Sequence, residues 1–147
     1  MLDIDLAKKI LKDKEASLVI VKEGQIIFKS YESGIFGLLK AIEKLNNQMR
    51  GASVADKVVG RATALLLAYS HIKEVYAFIL SIEGKKVLEI NNIKVNHQML
   101  VKKILDRTGK DICPFEKFSY SINSIEQAYE QLRNFAEEFL NKKIFYY

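Results

Sequence analysis

The stretch Gly51–Tyr69, GASVADKVVGRATALLLAY, constrains the fold more than any other part of the chain. From Ala62 to Tyr69 almost every residue is apolar. A helix that is apolar all round has to be buried on all sides. The stretch therefore predicts a central helix covered by a sheet and by neighbouring helices. Gly51 permits a turn, and Ser53 with Asp56 three residues later has the spacing of a capping box. On that pattern the helix begins at Ser53 and carries Asp56, Lys57 and Arg61 on its first turns. Only this charged end would reach solvent or a pocket.

The flanking segments supply the sheet and the cover. Asp3 or Asp5 can cap a short first helix with Leu2, Leu6, Ile10 and Leu11 on one face. Ser17–Lys22 and Gln25–Lys29 are β-branched runs separated by Glu23-Gly24, which reads as a hairpin with a two-residue turn. Ser33-Gly34 punctuates the start of a helix over about Ile35–Asn46. Glu74–Ser81, EVYAFILS, is a continuous apolar run of strand length, the pattern of a strand buried on both faces. Ser81 caps a short helix ending at Asn91-Asn92, although Gly84 within it is a poor helix former. Ile93–Val95 reads as a short strand and His97–Arg107 as a helix stopped by Thr108-Gly109. Ser124 caps a long last helix whose apolar residues, Ile125 to Phe139, follow the i, i+3, i+4 rule. The chain ends on the aromatic run IFYY. Strands alternating with helices predict a three-layer α/β/α domain, built on a mixed sheet with an N-terminal hairpin. The expected division is an α/β domain over residues 1–122 and, over 123–147, an amphipathic helix packed on it or extending from it.

Bulk properties exclude several classes. The chain has 147 residues, 49% of them hydrophobic, and a single proline, which suits one domain with a sizeable core rather than disorder. A net charge of +5 is compatible with an anionic ligand but too weak and dispersed to argue for nucleic acid. One cysteine cannot form an internal disulfide, which points to a reducing compartment, and the cytoplasm is the expected location. The start, MLDIDLAKK, has no apolar run of the signal-peptide kind, and no apolar stretch reaches membrane-spanning length.

The element order, with a buried helix after the hairpin region, resembles the cytidine deaminase-like fold. Zinc deaminases carry His-x-Glu at the start of that helix and Pro-Cys-x-x-Cys at the start of the next. Val54-Ala55-Asp56 stands in the first place here and Ser81-Ile82-Glu83-Gly84 in the second. The resemblance therefore implies the fold without zinc: Val54 cannot bind metal and the cysteine pair is missing. More specifically, GASVADKVVGRATALLL followed by DICPFEK is similar to a family of small prokaryotic proteins. That family is known as a domain of unknown function with a deaminase-like fold. The similarity spans about Ser17 to Lys117, with the last helix outside it. It implies a fold, not an activity.

Several residues are candidates for chemistry. Lys57 and Arg61 share a helix face at i, i+4, and a helix start with free N–H groups and nearby cations suits an anion. Cys113 before Pro114 would sit at a helix cap, where a thiol's pKa falls. His71 and His97 read as surface or capping residues, so no metal and no cofactor is expected. The first functional reading is a binding protein for a small anionic, nucleotide-like ligand, with Ser33, Gly34, Gly51, Ser53, Arg61 and Glu116 around the pocket. The second is a metal-independent enzyme using the same pocket. There Asp56 would be the acid/base group, Lys57 or Arg61 the electrophilic clamp and Cys113 the nucleophile. The third is a regulatory or assembly module in which the aromatic C-terminal helix builds a homodimer. Nucleic acid and membrane are not expected partners.

Overall fold

A computed structural model describes residues 1–145, and the side chains of residues 1–142. The chain folds into a five-stranded mixed sheet in the order β2-β1-β3-β4-β5. The hairpin pairs β1, Leu18–Lys22, with β2, Gln25–Ser30, and β1 also runs antiparallel to β3, Ser53–Val59. β3, β4 (Glu74–Ser81) and β5 (Lys94–Val101) are parallel, as the helical crossovers α3 (Arg61–Tyr69) and α4 (Ile82–Ile90) require.

The layers follow from strand alternation. α1, Asp3–Asp13, covers one face of the sheet, where Ala7, Leu11 and Ala16 pack with Val19, Val21 and Ala55. The next residues along the strands, Leu18, Ile20 and Val54, point to the opposite face. That face carries α2, Phe36–Leu45, and α3, together with α6, Ile125–Phe145. Ala62 and Ala64 to Leu67 are all at most 3% exposed, so the central helix is as buried as its composition requires. Ala128, Leu132 and Ala136 of α6 belong to the same cluster as α3, so the first part of the last helix covers the domain core. The side chains of the terminal run IFYY lie outside those described. Among the described residues no helix is long and apolar enough to cross a membrane.

The hairpin, α2, β4 and α4 stand where the sequence places them, but β4 is not buried on both faces: Phe78 is 45% exposed. Glu23 and Gly24 have φ of 51° and 78°, both positive, as a two-residue hairpin turn demands. Ser81 Oγ accepts from Gly84 N at 2.9 Å and caps α4. The structure departs from the sequence pattern in three places. Residues 53–59 form a strand rather than the first turns of the central helix, which begins at Arg61 after Gly60. His97–Arg107 is not a helix: Lys94–Val101 is the edge strand β5, and an irregular loop follows it. Neither Asp3 nor Asp5 caps α1, whose N-cap is Leu2; Asp3 instead accepts from Gly24 N and steadies the hairpin turn.

Gly84, a poor residue for a helix, has a packing reason. A Cβ there would lie 2.9 Å from the Gly60 carbonyl oxygen and 3.0 Å from that of Val59. The first turn of α4 thus rests on the backbone that joins β3 to α3. Gly84→Ala is expected to lower unfolding stability by about 1–3 kcal/mol despite alanine's better helix propensity. Urea denaturation checks this; a stabilised variant would mean the two turns separate freely.

Candidate functional site

The start of the central helix is occupied from within the chain. α5, Pro114–Ser119, is a short helix that Pro114 opens. Its Glu116, 5% exposed, accepts from Arg61 N at 2.8 Å and from Ala62 N at 2.9 Å. Gly60 makes room for the carboxylate, since a Cβ there would lie 2.4 Å from it. In return the Arg61 guanidinium donates to the carbonyl oxygens of Ser119 and Ile122, where α5 ends. Each helix therefore caps the other: a carboxylate meets the positive end of α3 and a cation the negative end of α5. Burial pushes the Glu116 carboxyl above its ordinary value, against the two backbone donors and the Arg61 charge. The head of this helix lies at Arg61 rather than Ser53, and the Glu116 carboxylate occupies it.

The remaining sequence candidates are dispersed. Ser53 begins β3, is buried, and donates to Glu74 Oε2 at 2.9 Å. Asp56 is buried in mid-strand, where its carboxylate accepts from Val58 N at 3.2 Å. Burial raises its pKa from 3.8 to about 7, over the opposing hydrogen bonds from Val58 and Lys57. Lys57 points to the α1 side, its Nζ 3.3 Å from the Glu15 carbonyl oxygen. Cys113 is half-buried before α5 and packs against the cluster on the other face. The sheet thus separates Lys57 from Cys113, and the expected shared acid, clamp and nucleophile do not assemble. Ser33 Oγ accepts from Arg107 at 3.1 Å, and Gly34, at φ 66°, turns the chain into α2. Gly51, at φ 77°, donates its N–H to the His71 carbonyl oxygen at 2.9 Å. His97 lies exposed on β5, not at a helix start. Among the described residues no three His, Cys, Asp or Glu side chains lie close enough together to hold a metal.

The opposite end of α3 carries the opening that the sequence did not indicate. A cleft of about 290 Å³ lies between the ends of α2 and α3 and the side of α6. It is lined by Ile42, Asn46, Asn47, Arg50, Tyr69, Ser70, His71 and Tyr129. Tyr69 and Tyr129 stack with ring centroids 5.6 Å apart and planes 20° from parallel. Ser70 is committed, its hydroxyl donating to Leu66 O. No hydrogen bond or ion pair among the described residues engages the side chains of Asn46, Asn47, Arg50 or His71. Asn46 and His71 also hold positive φ, 49° and 54°. The Asn46-Asn47 pair after a helix was the available sequence signal, but it reads equally as an ordinary helix stop.

Val54-Ala55-Asp56 lies within β3, and the residues that open the buried helix are Arg61-Ala62-Thr63. None of these three is a zinc ligand of the deaminase type. A domain of unknown function, DUF1893, matches residues 6–136 in sequence. The chain belongs to the DUF1893 family. The DUF1893 match runs from α1 into α6, beyond the Ser17–Lys117 span expected from sequence on both sides. The crystal structure of the DUF1893 protein TM1506 from Thermotoga maritima is similar over 92% of this chain and 89% of that one. The pair has 26% identity and a TM-score of 0.81. Two crystal forms of Acinetobacter baumannii RibD are similar over 65% of this chain and 33% of that one. Their identities are 21% and 20% and their TM-scores 0.47 and 0.48. None of the curated proteins matches the chain. The architecture is the mixed-sheet α/β fold that the sequence resemblance implied, with helices on both faces and an N-terminal hairpin.

Proposed function

We propose that this DUF1893 protein binds a small anionic molecule in the cleft at the C-terminal end of α3. The observation that carries the reading is the set of uncommitted polar side chains around one concavity. Arg50, Asn46 and Asn47, all exposed, line a volume of about 290 Å³ beside two stacked tyrosines, with His71 at its edge. Small-molecule sites combine apolar and aromatic walls with a few polar groups that fix orientation, and this volume is at the lower end of their range. Arg50 always carries its charge and presents a planar fork suited to phosphate or carboxylate. The head of α3, the site favoured by sequence, is satisfied by Glu116 and has no need of a ligand.

Thermal-shift measurements with inorganic phosphate and small carboxylates test the reading. A ligand at a hundred times its Kd adds about 2.7 kcal/mol to the folded state. At least one of these anions is expected to raise the Tm of the parent, and Arg50→Ala to remove the response while leaving the unliganded Tm near the parent's. A response that survives Arg50→Ala, or no response from any anion at millimolar concentration, overturns the proposal.

A further inference from the structure

We propose that the cleft takes a flat ring carrying one anionic group, and that Asn46 reads the ring's polar edge at the cost of a strained backbone. The inference rests on the cleft being the ligand site. Tyr69 and Tyr129 both line it and offer aromatic surface, stiffened by their own stacking and by the Arg133 guanidinium 5.4 Å from the Tyr129 ring. Aromatic walls of this kind hold planar ligands without regard to their hydrogen bonding. Arg50 supplies the anion partner. His71 faces Glu126, whose carboxyl is held down chiefly by the Ser124 hydroxyl and, less strongly, by the charge of His71. His71 thus already has an acidic neighbour, and the anionic group falls to Arg50, whose guanidinium is always charged.

Asn46 supplies the reading of the edge. Its backbone lies at φ 49° and ψ −121°, a region suited to glycine rather than to a residue with a Cβ. The structural task there is done by the main chain, since Asn46 N donates to Ile42 O and closes α2. Glycine would do that task without strain. What asparagine adds is an amide with one acceptor and two donors, uncommitted within the described residues and lining the cleft. Strain that glycine would relieve, kept at the rim of a cleft, points to use of the side chain.

Titration calorimetry on the full chain separates the parts of the proposal. AMP and 4-hydroxybenzoate serve as ring-bearing anions from two sources, and inorganic phosphate as the ringless probe. At least one ring anion is expected to bind the parent tenfold or more tighter than phosphate; which one does so tells a nucleotide from an aromatic acid. Asn46→Gly is expected to melt at a higher temperature than the parent. It should nevertheless bind that ring anion about five- to tenfold more weakly, with phosphate binding unchanged. Arg50→Ala should lose both. If Asn46→Gly binds the ring anion as tightly as the parent, or melts lower, Asn46 is only a turn residue and this inference fails while the cleft stands. If phosphate binds the parent as well as either ring does, the ring is wrong. If the parent binds none of the three, the cleft itself is not the site.

Discussion

Glu116→Ala is expected to destabilise the fold by about 3–5 kcal/mol, because it strips the start of the central helix of its side-chain cap. Arg61 N and Ala62 N would each lose a carboxylate acceptor within a buried environment, and an unsatisfied buried donor costs about 1–3 kcal/mol. The loss also empties the space that Gly60 leaves for the carboxylate. Glu116→Gln is the discriminating variant. Its amide can satisfy one N–H through the oxygen but turns a donor toward the other, so it should recover only part of the loss. Urea unfolding of both variants reads this directly. Equal stability of Glu116→Ala and the parent would mean water caps α3 as well as Glu116 does, and the exchange between α3 and α5 would lose its energetic meaning.

The same contact explains where the sequence misleads. Ser53 and Asp56 have the spacing of a helix cap, and nothing local contradicts it. The true cap comes from Glu116, 55 residues after Arg61, and no local pattern can announce so distant a partner. With the helix start misplaced, Ser53, Asp56 and Lys57 are read as one helical turn when they alternate along a strand, Lys57 facing α1 and Asp56 the opposite side. β5 is read too short, as Ile93–Val95 only, for a related reason. Lys94–Val101 is an edge strand with a mostly exposed, polar surface, so it shows neither strand alternation nor a buried run. Its apolar end, Leu100 and Val101, falls into helical spacing with Ile104 and Leu105 by accident. Elements whose signals are local were legible: the Glu23-Gly24 turn, the apolar run of β4, the Ser81 cap and the stripe of α6. The cleft was not, because its lining comes from three stretches far apart in the chain, 42–50, 69–71 and Tyr129 on α6, none of which signals a site alone.

The parent is expected to be more stable at pH 5 than at pH 8, and Asp56 is the reason. Its carboxyl has a pKa of about 7 in the folded chain against 3.8 ordinarily, because burial penalises the charged form more than the Val58 and Lys57 N–H groups favour it. Between these two values the folded chain holds a proton that the unfolded chain has released. Stability therefore falls as pH rises, at about 1.4 kcal/mol per pH unit. The stabilisation is complete below about pH 4 and gone above about pH 7, an overall change on the order of 4 kcal/mol. Glu116 is raised as well and acts in the same sense. Asp106, Asp111 and Glu126 are lowered by their hydrogen bonds and act in the opposite sense, but all three lie at the surface, where solvent screens such effects. Asp56→Asn isolates the buried group. The amide oxygen can still accept from Val58 N, and no charge has to be buried at any pH. The variant is expected to match the parent near pH 4, to exceed its stability increasingly up to about pH 7 and still at pH 8, and to have a flatter profile between. Urea midpoints across pH 4 to 9 for the two chains test this. Parallel profiles would show that Asp56 takes up no proton on folding, and that the carboxylate is solvated or paired where the structure buries it.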